Sequence, residues 1–356
     1  MKAAVLSERG GAFQVADLAI DDPRAGEVRI ALRASGVCHS DLSVARGTLG
    51  EGHPMPCVLG HEGAGIVVQL GPGVGGVRVG DHVVFAWVSP CRACRTCLAG
   101  QPNLCLAPVG ARKNYLRDAE TTIHAIRGAF AEEMIVPAAA AIKIDDDLPL
   151  DVAALVGCGV STGVGAVINT ARLVPGSSVV VFGCGGVGLN VIQGARLAGA
   201  AEIVAVDPLE SKLDIAKKFG ATHFVRPTDL ADLVQDLTKG VGFDYAFEVV
   251  GRPETIRAAW DASRRGGDVI IVGAGSADAQ VNFSPGEIFR MERKLVGSCY
   301  GSADPVRDFP RLLNLWRLGK LDIDSLISRR ITLDEVDAAV AMLDRGEVIR
   351  SVIEFA

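Results

Sequence analysis

The stretch from Ser178 to Asp207 constrains the fold of this chain more than any other. An apolar, β-branched run from Val179 to Phe182 leads into the glycine-rich turn GCGGVG at residues 183–188. A helical pattern follows, and a second apolar run, Ile203 to Val206, ends at Asp207. Strand, glycine turn, helix and strand in this order predict a βαβ unit that binds a dinucleotide.

The glycines of this turn have separate physical tasks. Gly183 allows a tight turn, Gly185 lets the backbone approach a pyrophosphate, and Gly188 lets the helix pack closely on the strand. Gly186 is a further coenzyme-binding candidate of the turn, and the phosphates would lie at the N-terminus of the following helix, whose unpaired N–H groups and positive dipole end favour anions. An ordinary βα turn could share the spacing, but Asp207 follows Gly188 by 19 residues, close to the roughly 20 expected of the acid that binds ribose hydroxyls.

Composition limits the classes of partner. The 356 residues are 49% hydrophobic, enough for two domains, and the net charge of −6 is spread without a basic block, so we expect neither nucleic acid nor a membrane as partner. Only four apolar residues lie between Lys2 and Ser7, too few for a secretory signal, and no uncharged apolar run is expected to approach the roughly 20 residues that span a bilayer. We therefore predict a cytoplasmic protein whose nine cysteines are metal ligands and buried thiols.

The predicted fold class is α/β. Residues 1 to about 160 show short β-like runs between glycine and proline turns, typical of a β-rich domain, whereas residues 161–300 alternate strand and helix, which predicts a doubly wound parallel sheet. The predicted strands of that sheet are Val179–Phe182, Ile203–Val206, His223–Arg226, Phe243–Val250, Asp268–Gly273 and Leu295–Tyr300, and the predicted helices between them are Leu209–Phe219, Leu230–Thr238 and Pro253–Ser263.

Four cysteines lie close together in a polar stretch. Cys91, Cys94, Cys97 and Cys105 have the spacing C-x2-C-x2-C-x7-C. Four thiolates can close a tetrahedron around Zn²⁺ and leave no position for a substrate, so the predicted site is structural. An iron–sulfur cluster and a pair of disulfides are the alternatives, although the seven-residue gap does not match ferredoxin spacing.

The remaining cysteines and histidines are scattered, and most are expected to be buried thiols or hydrogen-bonded imidazoles. Cys38 opens a Cys-His-Ser-Asp run, His61 lies in Gly-His-Glu, and Cys158 lies in Gly-Cys-Gly. These settings indicate another role, but spacing cannot establish a site made from such distant segments.

The motifs taken together resemble the zinc-dependent alcohol dehydrogenases of the medium-chain dehydrogenase/reductase family. The resemblance covers essentially the whole chain and rests on Gly36-Val-Cys38-His-Ser40-Asp41, Gly60-His61-Glu62-Gly-Ala-Gly65, the four-cysteine segment, Gly157-Cys158-Gly-Val-Ser-Thr162-Gly and the turn at 183–188. It implies a GroES-like catalytic domain at 1–160 and 301–356, with a structural zinc lobe at about 89–106, and a Rossmann NAD-binding domain at 161–300.

The resemblance also implies roles for residues around a catalytic zinc. The ligands would be Cys38, His61 and Cys158, the set of two cysteines and one histidine found in alcohol dehydrogenases. Asp41 would orient His61 from behind. Glu62 would be an acid able to approach the metal during ligand exchange. Each chain would then hold two zinc ions, one catalytic and one structural.

Other residues match family positions for the proton, the coenzyme and the substrate. Ser40 matches the hydroxyl that takes the alcohol proton, and Trp87 matches a bulky wall of the substrate pocket. The coenzyme positions are Asp207 and Lys212 at the adenosine ribose, Arg350 at the pyrophosphate, and Thr162 and Val187 near the nicotinamide. Cys57, Cys184 and Cys299 match no ligand position.

Two positions depart from the liver-type pattern. His39 replaces a pyrophosphate-binding arginine, and Ser43 replaces the histidine that ends the proton relay. Neutral imidazole would hold the coenzyme more loosely, and serine is a poor base at pH 7. We expect the proton to leave through the nicotinamide ribose and water, with help from His39.

The expected reaction is the reversible, NAD-dependent oxidation of a primary alcohol to the aldehyde. Trp87, with Leu104, Tyr115 and Phe289 as further candidates, favours an aromatic or allylic alcohol. Oxidation of a thiol–formaldehyde adduct is an enzymatic alternative, and a non-catalytic dinucleotide-binding zinc protein is an alternative from another class. Family members are dimers or tetramers, so we expect a homodimer or homotetramer paired at the strand near Leu295.

Overall fold

The computed structural model describes residues 1–50, 52–107, 114–118 and 121–356. The chain divides into two compact units, the first formed by Met1–Gly159 and Asp304–Ala356 and the second by Val160–Ala303. The C-terminal segment therefore returns to the unit that contains the N-terminus.

The first unit is built on two mostly antiparallel sheets. One has the order β2-β1-β5-β9-β8-β3, and the other has the order β11-β7-β6-β4-β19-β18 with β10 added at β4. Their strands are β1 Lys2–Leu6, β2 Phe13–Asp17, β3 Ala19–Ile20, β4 Glu27–Gly36, β5 Cys57–Val58, β6 Glu62–Leu70, β7 His82–Phe85, β8 Asn114–Asp118, β9 Thr121–Ala125, β10 Glu133–Pro137, β11 Ala141–Lys143, β18 Ile327–Ile331 and β19 Arg350–Glu354.

Strand β4 is the longest of these, and it positions the first metal-binding motif. Its apolar residues Val28, Ile30 and Leu32 are buried, each at most 1% exposed, because alternate side chains of a strand face the same core. Strand β19 pairs with its end, Val352 opposite Gly36. The last strand of the chain therefore lies directly beside the segment that carries Cys38.

The second unit confirms the predicted doubly wound sheet. Six parallel strands have the order β14-β13-β12-β15-β16-β17, so the chain moves outward from β12 in one direction and then restarts on its other side at β15. The strands are β12 Ser178–Phe182, β13 Glu202–Val206, β14 His223–Val225, β15 Phe243–Glu248, β16 Ser263–Ile271 and β17 Lys294–Gly297. Their β-branched, apolar sequence suits strands covered on both faces.

Helices connect these strands and cover the sheets. In the first unit they are α1 His39–Arg46, α2 Arg95–Leu98, α9 Pro305–Arg317 and α10 Val336–Asp344, and in the second unit α4 Gly186–Leu197, α5 Glu210–Phe219, α6 Leu230–Thr238, α7 Pro253–Ala262 and α8 Pro285–Met291. A further helix, α3 Leu150–Ala171, contains two π-helical stretches at Val156–Val160 and Ala166–Ala171.

Four of the six predicted strands end one to three residues earlier than the sequence pattern indicates, and two of them show the reason. The run predicted at Phe243–Val250 ends at Glu248, since the next residues form a turn held by the Glu248 carboxylate. The run predicted at Leu295–Tyr300 ends at Gly297, because Tyr300 and Gly301 have positive φ angles of 56° and 63°. Apolar composition extends past the point where the backbone leaves the sheet.

Helix α3 corrects the expectation that no apolar run reaches membrane-spanning length. It has 22 residues, and by length and composition alone it could cross a bilayer. However, 83% of its most apolar window is buried within the protein, as expected of a core helix. Its apolar sequence is therefore explained by packing.

Candidate functional site

A buried carboxylate organises the first metal-binding motif. Cys38 is the residue before α1, and Asp41 at the third helical position accepts a hydrogen bond from the Cys38 backbone N–H at 3.0 Å. The other Asp41 oxygen lies 2.9 Å from His61 Nδ1 and accepts a bond from Gly60 N at 3.2 Å. Holding Nδ1 in this way leaves His61 Nε2 to bind a metal.

Gly60 is required for this approach. Its φ angle is +95°, and a Cβ there would lie 2.5 Å from Phe130 Cδ1. Only glycine accepts both the left-handed backbone and the close neighbour. The local sequence Gly-His-Glu thus turns His61 toward Asp41.

Four ligand-bearing side chains converge at this point. Donor atoms of Cys38, His61, Glu62 and Cys158 all lie within 4.8 Å of one another, and all four residues are buried. Two sulfurs, an imidazole and a nearby carboxylate suit Zn²⁺, and three such ligands with one open position are typical of a catalytic zinc. The donor set therefore fits the predicted metal.

The charges of this cluster shift the acidity of its thiols. A hydrogen bond from the Cys158 thiol, aided by the charges of Arg350 and His61 against the effect of burial, holds the pKa of Cys38 well below its usual value. The same shared hydrogen bond and burial raise the pKa of Cys158. The cluster therefore favours the thiolate form of Cys38, which is the form that binds metal.

Glu62 and Arg350 complete the buried cluster. Glu62 is fully buried, its Oε1 accepts a hydrogen bond from Gly159 N at 3.0 Å, and its Oε2 lies 3.7 Å from Arg350 Nε. Burial raises the pKa of Glu62 to about 7, an effect that the Arg350 charge opposes. Arg350 Nη2 is also 3.8 Å from Cys38 Sγ, so the arginine faces the metal ligands within its own unit.

The four-cysteine segment forms a separate cluster. The sulfurs of Cys91, Cys94, Cys97 and Cys105 lie within 4.8 Å of one another, and Cys94 Sγ is 3.8 Å from Cys105 Sγ. A tetrahedron with zinc–sulfur bonds of about 2.3 Å has edges of about 3.8 Å, so the spacing fits zinc. None of these four cysteines forms a disulfide, which removes the disulfide alternative.

Hydrogen bonds favour the thiolate at two cysteines of this loop, whereas burial raises the pKa of Cys97 to about 12. The Thr96 hydroxyl and backbone N–H groups lower the pKa of Cys94 to about 5, and backbone N–H groups lower that of Cys91. Backbone N–H bonds to cysteine sulfur recur here at 3.3 Å, from Cys91 N to Cys105 and from Cys94 N to Cys91. The loop is thus preorganised for a cation.

The glycine turn of the second unit fits a dinucleotide. Gly183 has φ +97°, a Cβ on Gly188 would lie 1.8 Å from Gly183 O, and the Cβ position of Gly185 has no atom within 4 Å. The backbone angle and the close neighbours therefore require glycine at 183 and 188, whereas Gly185 faces open space where a pyrophosphate could approach. Gly186 begins α4 directly behind it.

Asp207 lies at the end of β13 and is 4% exposed. It accepts hydrogen bonds from Cys184 N at 2.8 Å and Leu209 N at 3.0 Å, so its carboxylate is fixed beside the turn. Thr162, Val187 and Lys212 are partly exposed residues of the same unit.

Comparison with known proteins identifies the family of this chain. The sequence pattern of the alcohol dehydrogenase GroES-like domain matches residues 24–146, and that of the zinc-binding dehydrogenases matches residues 186–317. S-(hydroxymethyl)glutathione dehydrogenase of Paracoccus denitrificans is 38% identical over 99% of both chains. The chain belongs to the zinc-dependent medium-chain alcohol dehydrogenases.

Solved structures agree over the full length. An alcohol dehydrogenase zinc-binding domain protein from Burkholderia ambifaria has a TM-score of 0.93 at 32% identity, with 100% of this chain and 98% of that chain covered. Benzyl alcohol dehydrogenase of Acinetobacter calcoaceticus has a TM-score of 0.92 at 32% identity, with 100% and 99% covered. The predicted class of enzyme, an NAD-dependent zinc oxidoreductase acting on CH–OH donors, is confirmed.

The predicted proton-transfer residues of this dehydrogenase lie at the start of α1. Ser40 Oγ is 3.9 Å from Cys38 Sγ, adjacent to the metal ligands. His39 is exposed and close enough to Asp344 to help lower the pKa of that carboxyl, which is lowered first by its Arg46 hydrogen bond. The two neighbours in sequence thus face different surroundings.

Trp87 is partly buried and packs against the core of its unit. It follows β7, and the carbonyl of Phe85 lies 3.1 Å from the Cβ position of Gly157, next to Cys158. The Arg127 guanidinium carbon is 5.0 Å from the centroid of the Trp87 ring, a cation–π contact that no sequence signal indicated.

Two of the other substrate-pocket candidates have exposed side chains. Leu104 is 45% exposed in the cysteine loop and Phe289 is 85% exposed on α8, and the Tyr115 side chain lies outside the described residues.

The three cysteines that match no ligand position differ in their burial. Cys57 and Cys184 are buried, and burial raises the pKa of Cys57 to about 12, whereas Cys299 is exposed.

Proposed function

We propose that this dehydrogenase reversibly oxidises a primary aromatic or allylic alcohol to its aldehyde, with NAD as the preferred coenzyme. The observation that carries the substrate proposal is Trp87, whose indole is partly buried. Trp87 lies two residues after β7, and the end of β7 lies close to Gly157, the residue before Cys158. A flat indole wall favours flat, apolar substrates. The benzyl alcohol dehydrogenase named above is consistent with this choice.

The side chains of the metal cluster have separate roles. Zinc, when bound, lowers the pKa of an oxygen ligand, which eases loss of its proton. Cys38, His61 and Cys158 would hold the metal, and Asp41 fixes the ring of His61 by the 2.9 Å bond to Nδ1. Glu62 supplies a buried acid that could approach during ligand exchange.

We assign proton transfer to Ser40. Oxidation of an alcohol removes a hydride from carbon and a proton from oxygen, and the Ser40 Oγ would accept that proton. Ser43, which replaces a histidine of the liver-type pattern, cannot take it further at pH 7. The proton would leave through the coenzyme ribose and water, with His39 assisting.

The coenzyme proposal rests on Asp207 and the residues that follow it. Its buried carboxylate would accept ribose hydroxyls and repel a 2′-phosphate, and Pro208 and Leu209 provide no arginine to receive one. Lys212 would contact the same ribose, Thr162 and Val187 the nicotinamide, and Arg350 the pyrophosphate. His39 would contact the pyrophosphate more weakly than an arginine.

A second function has its own support. The similar protein from Paracoccus denitrificans is named S-(hydroxymethyl)glutathione dehydrogenase, and the Arg127 guanidinium on Trp87 could attract an anionic substrate. The alternative is therefore oxidation of a thiol–formaldehyde adduct. A requirement for thiol distinguishes it from plain alcohol oxidation.

One steady-state experiment tests these choices together. Ethanol, benzyl alcohol, cinnamyl alcohol, and formaldehyde with and without glutathione are each assayed with NAD and with NADP. We expect benzyl and cinnamyl alcohols to exceed ethanol in kcat/KM by at least about tenfold, and NAD to exceed NADP by a similar factor. Thiol-dependent formaldehyde turnover above that of benzyl alcohol would establish the alternative, and equal efficiency with both coenzymes would refute the role of Asp207.

We propose that chains of this dehydrogenase associate through a sheet edge. Strand β17, Lys294–Gly297, is the edge of its sheet and is the candidate for pairing two chains into a homodimer or, by further association, a homotetramer. Leu295 on this strand is 48% exposed. We propose the cytoplasm as the compartment.

A further inference from the structure

A buried carboxylate in the second unit has no role in the sites described above. Glu248 is the last residue of β15 and is fully buried. It lies in register with Phe182, the last residue of β12, on one side and with Ile271 of β16 on the other. Its position is therefore the carboxyl edge of the parallel sheet, where the glycine turn begins.

One oxygen of Glu248 accepts three hydrogen bonds. The donors to Oε1 are Val250 N at 2.9 Å, Gly251 N at 2.8 Å and Thr255 Oγ1 at 2.6 Å. Within the described part of the chain, buried Oε2 has no hydrogen-bond partner. Such an unsatisfied polar atom is costly and uncommon in native proteins, which indicates that the carboxylate is retained for more than stability.

The turn that Glu248 holds packs against the first glycine of the nucleotide turn. Val250 Cγ2 lies 2.8 Å from the position that a Cβ on Gly183 would occupy. The same turn is constrained from the other side, because a Cβ on Gly273 would lie 2.2 Å from Gly251 N. A shift of Val250 and Gly251 would therefore be felt at Gly183.

The strand order explains why this location matters for a ligand. The chain adds β13 on one side of β12 and later adds β15 on the other side, so the order in which strands are added reverses between Phe182 and Glu248. Ligands of open parallel sheets bind outside the carboxyl ends of the strands at such a reversal. Val250 is 40% exposed at this point.

We infer that Glu248 is a positioning residue for NAD: its carboxylate fixes the Val250–Gly251 turn beside Gly183 and so shapes the coenzyme site. It touches no reacting atom in this scheme. The inference rests on the proposed binding of NAD by the glycine turn. It adds a residue that the glycine motif does not contain.

The test measures NADH binding directly by fluorescence titration. Glu248→Gln keeps the size of the side chain but removes the charge that strengthens three hydrogen bonds, and it should raise the Kd for NADH roughly tenfold. Thr255→Val removes one donor from outside the turn and should raise the Kd roughly threefold. The zinc content and the KM for the alcohol should stay within about twofold of wild type for both variants.

Asp244→Asn is the matched control. Asp244 lies near the opposite end of β15, where it accepts bonds from Ser178 N and Oγ at 2.8 Å and from Arg264 Nε at 2.6 Å. Its loss should lower the melting temperature without changing the Kd for NADH. The comparison separates a local effect on the coenzyme site from general destabilisation of the strand.

Each outcome is decisive. If wild type itself fails to bind NADH, the proposed function is wrong, whatever the variants do. If wild type binds and Glu248→Gln binds equally well, or if Asp244→Asn weakens binding to the same extent, the positioning role is refuted. If Glu248→Gln does not fold, Thr255→Val decides: a weakened Kd supports the role and an unchanged Kd refutes it.

Discussion

Asp41 shows how one residue can fix two candidate metal ligands at once. Its carboxylate bonds the backbone of Cys38 and the ring of His61, residues that are 23 positions apart in sequence. It does so from the first turn of α1, where a negative charge is favoured by the helix dipole. Cys38 and Asp41 are thus linked by local helix capping, and His61 joins them through the fold.

His39, next to Ser40, gives a prediction at this scale. If its imidazole assists proton release and contacts coenzyme, His39→Ala should raise the Kd for NADH about threefold. It should also change the pH dependence of kcat, because the imidazole would no longer assist proton release. Stopped-flow and steady-state rates from pH 5.5 to 9 measure both effects.

His223→Ala is the control, because His223 is a partly exposed histidine of the second unit whose ring lies 3.1 Å from Glu202. It should leave the pH profile and the coenzyme affinity unchanged. An unaltered profile and an unaltered Kd in His39→Ala would contradict the assigned role.

The cysteine loop depends on another element for its conformation. Arg92 has φ +60°, an unfavourable angle for a non-glycine residue. Its guanidinium makes two hydrogen bonds to Asp304, at 2.6 and 2.7 Å, and Asp304 is the residue before α9. The C-terminal segment therefore stabilises a loop that lies about 200 residues earlier in sequence.

We expect Asp304→Asn to loosen the zinc held by this loop. The Arg92 and Asp304 side chains are 46% and 21% exposed, so the pair is worth about 1 kcal/mol at most, which corresponds to roughly fivefold faster zinc release. The rate of zinc release is measured by the absorbance of a chromogenic chelator that captures the metal. Asp261→Asn, which breaks a similar two-bond pair with Arg257 in the second unit, should release zinc at the wild-type rate, and equal rates for all three proteins would contradict the link.

The whole molecule combines two zinc sites with different duties. One is buried and includes a carboxylate beside its three family-type ligands, and the other is a closed set of four half-buried cysteines. A closed site contributes to folding directly, whereas a three-ligand site leaves room for a reactant. Both lie in the first unit, and the glycine turn lies in the second.

Metal analysis tests this division. Wild type should contain two zinc ions per chain, and Cys105→Ser should contain one and melt several degrees lower, because zinc binding stabilises the folded loop. Cys57→Ser, a substitution of a buried cysteine outside both clusters, should keep two. A wild-type content of one zinc, or two retained in Cys105→Ser, would contradict the assignment.

The sequence by itself determined the features whose parts are close along the chain. The glycine turn with Asp207, the alternating strands and helices of the second unit, and the four-cysteine loop all follow from spacing, because a strand–turn–helix or a short loop brings its own residues together. The resemblance to a family then supplied the grouping of Cys38, His61 and Cys158, which spacing alone left open.

Only the tertiary structure decided the contacts between distant segments. The Glu62–Arg350 pair, the Arg127 guanidinium over Trp87 and the Arg92–Asp304 link join residues whose sequence neighbours give no sign of these contacts. The backbone also left the sheet at Glu248 and Gly297 although the apolar pattern continues. Hydrophobic pattern reports burial, but the burial of a charge depends on which partner the fold brings to it.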